Sequence, residues 1–146
     1  MEAKLKKHLQ NCRLDHVAVA VEDLDKGQAI YQAIGLEFEK EREVVTSQAV
    51  ETAFAAIDEH AKLELLCPIG EDGPIHQFLA KKGPGLHHLC FSVTDIEAKM
   101  EELKTAGFKF IYPEPTKGAG GCLVNFIHPK SSGGVLIEIS EAPKTS

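Results

Sequence analysis

The chain writes one segment twice. Asp15-His16-Val17-Ala18-Val19-Ala20-Val21-Glu22-Asp23 returns as His87-His88-Leu89-Cys90-Phe91-Ser92-Val93-Thr94-Asp95, with His16 and His88 72 residues apart. At the same offset Asp23 meets Asp95, Leu24 meets Ile96, Gly35 meets Gly107, and Leu36-Glu37-Phe38 meets Phe108-Lys109-Phe110, without a gap. A repeat of this length is a two-fold duplication. It restricts the fold to two copies of one unit and sets equivalent residues around a shared axis.

Each copy reads as strand, helix, strand, strand, strand. From Leu14 to Val21, His16, Ala18 and Ala20 share one face and Val17, Val19 and Val21 the other. From Leu86, His88, Cys90 and Ser92 share a face opposite Leu89, Phe91 and Val93. β-Branched and aromatic residues favour strands. The bulky face must pack under a helix, so the histidine and its two small neighbours look into open space. Asp23 and Asp95 are expected N-caps, and Gly35 and Gly107 expected helix stops. Further strands are expected over Leu36–Arg42, within Val44–Ile57 and over Lys62–Cys67 in the first half. In the second they are expected over Phe108–Tyr112, Cys122–His128 and Val135–Ser140. The expected organisation is an N-terminal extension (1–12), a first βαβββ module (13–67), a linker (68–85), a second module (86–141) and a disordered tail (142–146). The linker carries a short helix from Pro74, since proline suits a first helical position.

At 146 residues with 43% apolar and 26% charged content, the chain can build an ordinary globular core. A net charge of −6 argues against nucleic acid or an anionic membrane as partner. No apolar run approaches a membrane span, and the first residues lack a signal-peptide pattern. Cys12, Cys67, Cys90 and Cys122 form no CxxC pair, which points to reduced thiols and a cytoplasmic protein.

Four residues fall at matched places. Glu64 follows His16 by 48 residues and Glu138 follows His88 by 50. Each glutamate lies mid-strand among apolar residues, where an unpartnered carboxylate is costly. A divalent metal would satisfy all four. Two imidazoles and two carboxylates suit zinc, cobalt, nickel, manganese or iron(II). His87 points the other way along its strand, and His8, His60 and His76 lie in polar segments.

The duplicated unit with His…Glu, His…Glu resembles the vicinal-oxygen-chelate (glyoxalase-type) superfamily. Within it, the chain resembles the methylmalonyl-CoA epimerases over nearly its whole length. The segments that carry this are Leu14-Asp15-His16-Val17-Ala18, Gly85-Leu86-His87-His88, Gly118-Ala119-Gly120-Gly121, and above all Asn125-Phe126-Ile127-His128-Pro129-Lys130-Ser131 followed by Gly134-Val135-Leu136-Ile137-Glu138. The resemblance implies an α+β fold, two tandem βαβββ modules forming a cupped, barrel-like mixed sheet around a metal held by His16, Glu64, His88 and Glu138. It implies interconversion of (R)- and (S)-methylmalonyl-CoA through a metal-stabilised enolate, an acyl-CoA substrate and a homodimer.

Epimerisation needs a base on each face of the α-carbon and charge stabilisation at the thioester oxygen. Glu51 shares the alternation of Ala53 and Ala55 and is expected to face inward, thirteen residues before Glu64. Thirteen residues before Glu138 stands Asn125, its expected mate and a substrate hydrogen-bonding group. Glu51 and Glu138 are thus the expected bases, an assignment that resembles that of the family. Lys130 is expected to orient its turn or meet a CoA phosphate. A glyoxalase-type isomerase acting on a thiol hemithioacetal uses the same frame, but the His-Pro-Lys turn argues against it. A dioxygenase fits less well, with its two histidines and one glutamate. Small-molecule-binding modules of this fold commonly lack the ligands that this chain keeps.

Overall fold

The computed structural model describes residues 11–144. His8 and the rest of 1–10, like 145–146 of the tail, lie outside the described residues. The elements are β1 (Cys12–Ala20), α1 (Leu24–Ile34), β2 (Glu43–Val45), β3 (Val50–Ala56), β4 (Lys62–Pro68), α2 (Pro74–Lys82), β5 (Gly85–Val93), α3 (Ile96–Thr105), β6 (Thr116–Lys117), β7 (Leu123–Ile127) and β8 (Ile137–Glu141). They fall into two compact units, residues 16–87 and residues 88–144 with 11–15.

In the unit of residues 16–87, β2 pairs antiparallel with β3, β3 antiparallel with β4, and β4 parallel with β1. The β4–β1 register sets Ala18 beside Glu64, and the β3–β4 register sets Phe54 opposite Glu64. Partners across a ladder share a face, and neighbours along a strand alternate. His16, Ala18, Glu64, Phe54 and Thr52 therefore stand on one face. The other face carries Val19, Val21, Ala53, Ala55, Leu63 and Leu65, which form the core with Leu24 of α1. The bulky face does pack under the helix. Leu65 is fully buried, a contribution of about 2 kcal/mol. Gly27 lets α1 approach closely, since a Cβ there would meet Val21 and Leu65 side chains at 3.1 and 3.2 Å. Asp23 caps α1 as expected, its Oδ1 accepting from the Lys26 N–H at 3.0 Å, and Gly35 ends it at φ 121°.

The second unit repeats this plan. β5 runs parallel to β8, β8 antiparallel to β7, and β7 antiparallel to β6. Cys90 pairs with Glu138, and Phe126 stands opposite Glu138. On the reverse face, Val93 and Ile139 pack against Ile96 and Met100 of α3, with Phe110 and Leu123 beside them. Asp95 Oδ1 accepts from the Ala98 N–H at 3.0 Å, and Glu141 takes the Ile96 N–H at 3.0 Å.

Four expectations need correction. β1 starts at Cys12, inside the expected extension. Leu36–Arg42 is not a strand but follows the edge of β3 for a single bridge, Phe38 to Ala55, with the Glu39 N–H donating to Phe54 at 2.8 Å. The chain then bulges outward through charged Lys40–Arg42 before β2 rejoins that edge. Phe108–Tyr112 likewise makes one bridge, Phe110 to Ile127, and leaves. A further short strand, β6, rises from the Pro/Gly-rich loop.

Ala49, between a 3-10 turn and β3, is left-handed at φ 54°, alone among the described non-glycine residues. A Cβ on Gly73, which begins α2, would come within 2.9 Å of the Ala49 Cβ.

Candidate functional site

The duplication produces the same small construction in each unit. His16 Nε2 sits 3.3 Å from Glu64 Oε1, and both residues are buried. His88 Nε2 sits 3.0 Å from Glu138 Oε1, and both are again buried. Ala18 and Cys90, themselves one repeat apart, are small enough to leave space beside each carboxylate. A phenylalanine closes each arrangement. Phe54 meets His16 edge-on with centroids 6.3 Å apart, and Phe126 meets His88 edge-on at 5.4 Å. The sequence pattern hid these rings, although Phe54 and Phe126 stand at the 72-residue offset.

The donors fit a divalent metal. Glu64 and Glu138 are 4% and 5% exposed, and carboxylates buried so deeply need a cationic or hydrogen-bonding partner. Each has an imidazole nitrogen at contact distance. His16, Glu64 and His88 are all buried residues of metal-ligating type, and imidazole with carboxylate suits first-row divalent ions.

Two expected site residues stand on the reverse faces of their ladders. Glu51 is the ladder partner of Cys67, not of Glu64. It stands three residues from Phe54 and so points from the opposite, helix-covered face, near Arg42 and Gln28. Burial pushes the Cys67 thiol up, and the Glu51 carboxylate adds to that shift. Asn125 is the ladder partner of Ile139 and is fully buried on the α3 side. Its Nδ2 donates to the Tyr112 carbonyl at 3.0 Å and to Met100 Sδ at 3.5 Å. Its Oδ1 accepts from the Tyr112 N–H at 3.2 Å and the Phe126 N–H at 2.8 Å. Every donor and acceptor of the amide is used, closing the backbone where Phe108–Tyr112 leaves the sheet.

A hairpin length sets the repeat mates. Phe54 precedes Glu64 by ten residues, but Phe126 precedes Glu138 by twelve. The Pro129–Gly134 turn is longer, so the mate of Asn125 is Ala53, not Glu51. Lys130 is exposed in that turn, with its N–H donating to His128 Nδ1 at 3.1 Å. His87 turns away as expected and packs edge-on against Phe78 of α2, with centroids 4.9 Å apart.

Residues 15–126 match the glyoxalase/bleomycin resistance protein/dioxygenase superfamily. The chain is 40% identical over 131 residues to human mitochondrial methylmalonyl-CoA epimerase, covering 89% of this chain and 74% of that one. The chain belongs to the methylmalonyl-CoA epimerase family. Another member, the ethylmalonyl-CoA/methylmalonyl-CoA epimerase of Cereibacter sphaeroides, is 39% identical over 88% of this chain and 97% of its own. A Streptomyces coelicolor methylmalonyl-CoA epimerase variant, solved in complex with 2-nitronate-propionyl-CoA, superposes with a TM-score of 0.86 at 34% identity. The superposition covers 92% of this chain and 99% of that one. The epimerase family's mixed α+β fold is that of this chain. Among the described residues no helix is long and apolar enough to cross a membrane.

Proposed function

We propose that this chain is a methylmalonyl-CoA epimerase, with His16, Glu64, His88 and Glu138 as the donors to a divalent metal. The observation that carries this reading is the buried His–Glu pair in each unit of a chain from this family. When bound, the metal supplies a Lewis acid for the thioester oxygen. The protein residues do the rest. Phe54 and Phe126 hold the imidazole planes edge-on. The apolar strands exclude water, which strengthens every charge interaction beside them. Glu138 moves the α-proton on one face of the substrate carbon, as a positioned carboxylate can. Lys130 reaches from its turn toward the CoA phosphates.

The same reading carries a cytoplasmic homodimer built from modules 13–67 and 86–141 joined by 68–85, with its four cysteines as thiols. Cobalt, manganese, nickel and zinc all suit the donors.

The test is α-proton exchange. Purified protein supplied with each metal in turn is given methylmalonyl-CoA in D₂O, and a glutathione hemithioacetal in parallel. Deuterium entry with loss of epimeric purity is the expected result. Turnover of the hemithioacetal alone would replace this reading with the glyoxalase-type isomerase.

A further inference from the structure

The two units carry the same ladder but differ one step beyond each buried glutamate. In residues 16–87, Ala18 pairs with Glu64, and the next pair on that face is Ala20 with Leu66. In the other unit, Cys90 pairs with Glu138, and the next pair on that face is Ser92 with Ser140. Ala20 and Leu66 are buried and apolar, so the fold itself does not require hydroxyls there. Ser140 is 5% exposed, and its hydroxyl has no hydrogen-bond partner among the described residues. A sealed hydroxyl in that state is costly, and none of the described residues holds one. The Ser140 oxygen therefore borders open space, on the face that carries Glu138. Ser92 leads outward. Its hydroxyl donates to the Arg13 carbonyl at 3.4 Å, a long and weak hydrogen bond. Ser92 also lines a surface cavity of about 380 Å³ with Arg13, Thr94 and Glu141. Glu141 is engaged there, its Oε1 accepting from the Ile96 N–H at 3.0 Å. All of these residues belong to one compact unit.

We propose that Ser140 and Ser92 relay protons between Glu138 and the solvent of that cavity. The inference rests on the epimerase reading above. A base that takes an α-proton must return to its carboxylate form, and Glu138 is buried. Ser140 stands two residues along β8 from Glu138, about 6.6 Å by strand rise. One water bridges a gap of that size. Ser92 is the direct ladder partner of Ser140, about 4.8 Å away by strand spacing. A serine hydroxyl both donates and accepts, which the alanine and leucine of the other unit cannot do. Neither serine touches substrate. Both act through Glu138.

The proton count closes. The Glu138 carboxyl breaks its O–H bond as the bridging water forms one. That water passes a proton to Ser140 Oγ, while the Ser140 hydroxyl passes its own to Ser92 Oγ. Ser92 passes its own to water in the cavity. Each hydroxyl and the bridging water end with the bonds they began with. Glu138 is a carboxylate again, and one proton has reached solvent. In D₂O the same steps in reverse bring a deuteron to Glu138.

The test compares the parent, Ser140→Ala, Ser92→Ala and Ser140→Thr, each loaded with the same metal and given pure (R)- or pure (S)-methylmalonyl-CoA in D₂O. Deuterium in the returned starting epimer is measured against inversion. Removing an oxygen that has no protein partner strands nothing, so the Tm and metal stoichiometry of Ser140→Ala should match the parent. Its Glu138 then keeps the abstracted proton and hands it back. For the epimer whose α-hydrogen faces Glu138, deuterium entry relative to inversion should be lost. For the other epimer the ratio should stay at the parent value. Ser92→Ala should show the same one-sided loss, and Ser140→Thr, which keeps the hydroxyl, should restore exchange. A parent-like ratio in both epimers of Ser140→Ala overturns the proposal and leaves the epimerase reading standing. So does an equal loss in both epimers, or a lowered Tm, since either would make Ser140 a structural residue. A parent that inverts both epimers with no deuterium in the returned substrate also overturns it, because Glu138 would then not reach solvent. A parent that neither inverts nor exchanges with any metal removes the epimerase reading and this proposal with it.

Discussion

Phe54 stands directly opposite Glu64 on the β3–β4 ladder while its ring meets the His16 imidazole in a T-shaped contact. One apolar side chain thus touches the surroundings of both members of a buried polar pair. Phe126 does the same for Glu138 and His88. Such edge contacts contribute about 0.5–1.5 kcal/mol beyond burial. Phe126→Ala should cost roughly 3–5 kcal/mol in urea unfolding of the metal-free protein. It should also weaken metal binding, since the His88 ring loses its stop. Parent-like metal affinity in this variant would show that the ring packs without orienting the histidine.

His16→Ala and His88→Ala should each abolish stoichiometric metal. Neither should then gain thermal stability when metal is added, because ligand binding to the folded state alone raises Tm. Metal analysis and paired melting curves read both effects. A variant that keeps tight metal would show that its histidine is not a donor.

Glu51→Gln, on the helix side of its ladder, should leave epimerisation within about two-fold of the parent. It should change Cys67 instead. The raised thiol pKa comes first from burial and then from the Glu51 and Asp23 carboxylates, against a lowering by Arg42. Removing one negative charge lowers that pKa and raises the thiolate fraction at a fixed pH. Iodoacetamide should therefore modify Cys67 faster in the variant near pH 8, followed by peptide mass spectrometry. A large loss of epimerisation would return Glu51 to the active site.

Asn125→Ala should destabilise the fold by about 2–4 kcal/mol, because it strands the part-buried N–H of Tyr112 and the buried N–H of Phe126. The folded fraction should retain its KM for methylmalonyl-CoA. A raised KM at unchanged stability would restore the substrate-binding role.

The histidine strands, the caps and the helix-covered faces were legible because alternation and the repeat offset act over neighbouring residues. His16, Ala18 and Ala20 against Val17, Val19 and Val21 needed nothing more than period two. The faces of Glu51 and Asn125 were not legible, because they depend on which residue stands across a hairpin. The Pro129–Gly134 turn lengthens one hairpin by two residues, and no local pattern records where those residues sit. The edge segments Leu36–Arg42 and Phe108–Tyr112 carry strand-forming residues, but their ladders stop at single bridges. For the second, an Asn side chain in a neighbouring strand supplies the partner that continued pairing would have given.

The Ala49–Gly73 contact makes the order of mutation matter. Ala49 holds a backbone conformation that costs an alanine about 1–2 kcal/mol and a glycine almost nothing. Its methyl also blocks any side chain at position 73. G73A alone must push against that methyl and is expected to be harmful. A49G alone relieves the strain and removes the obstacle, leaving the Gln48 carbonyl as the nearest neighbour at 3.3 Å. The two changes are therefore non-additive. A lineage that takes A49G first opens position 73 to alanine, while one that meets G73A first loses it to selection.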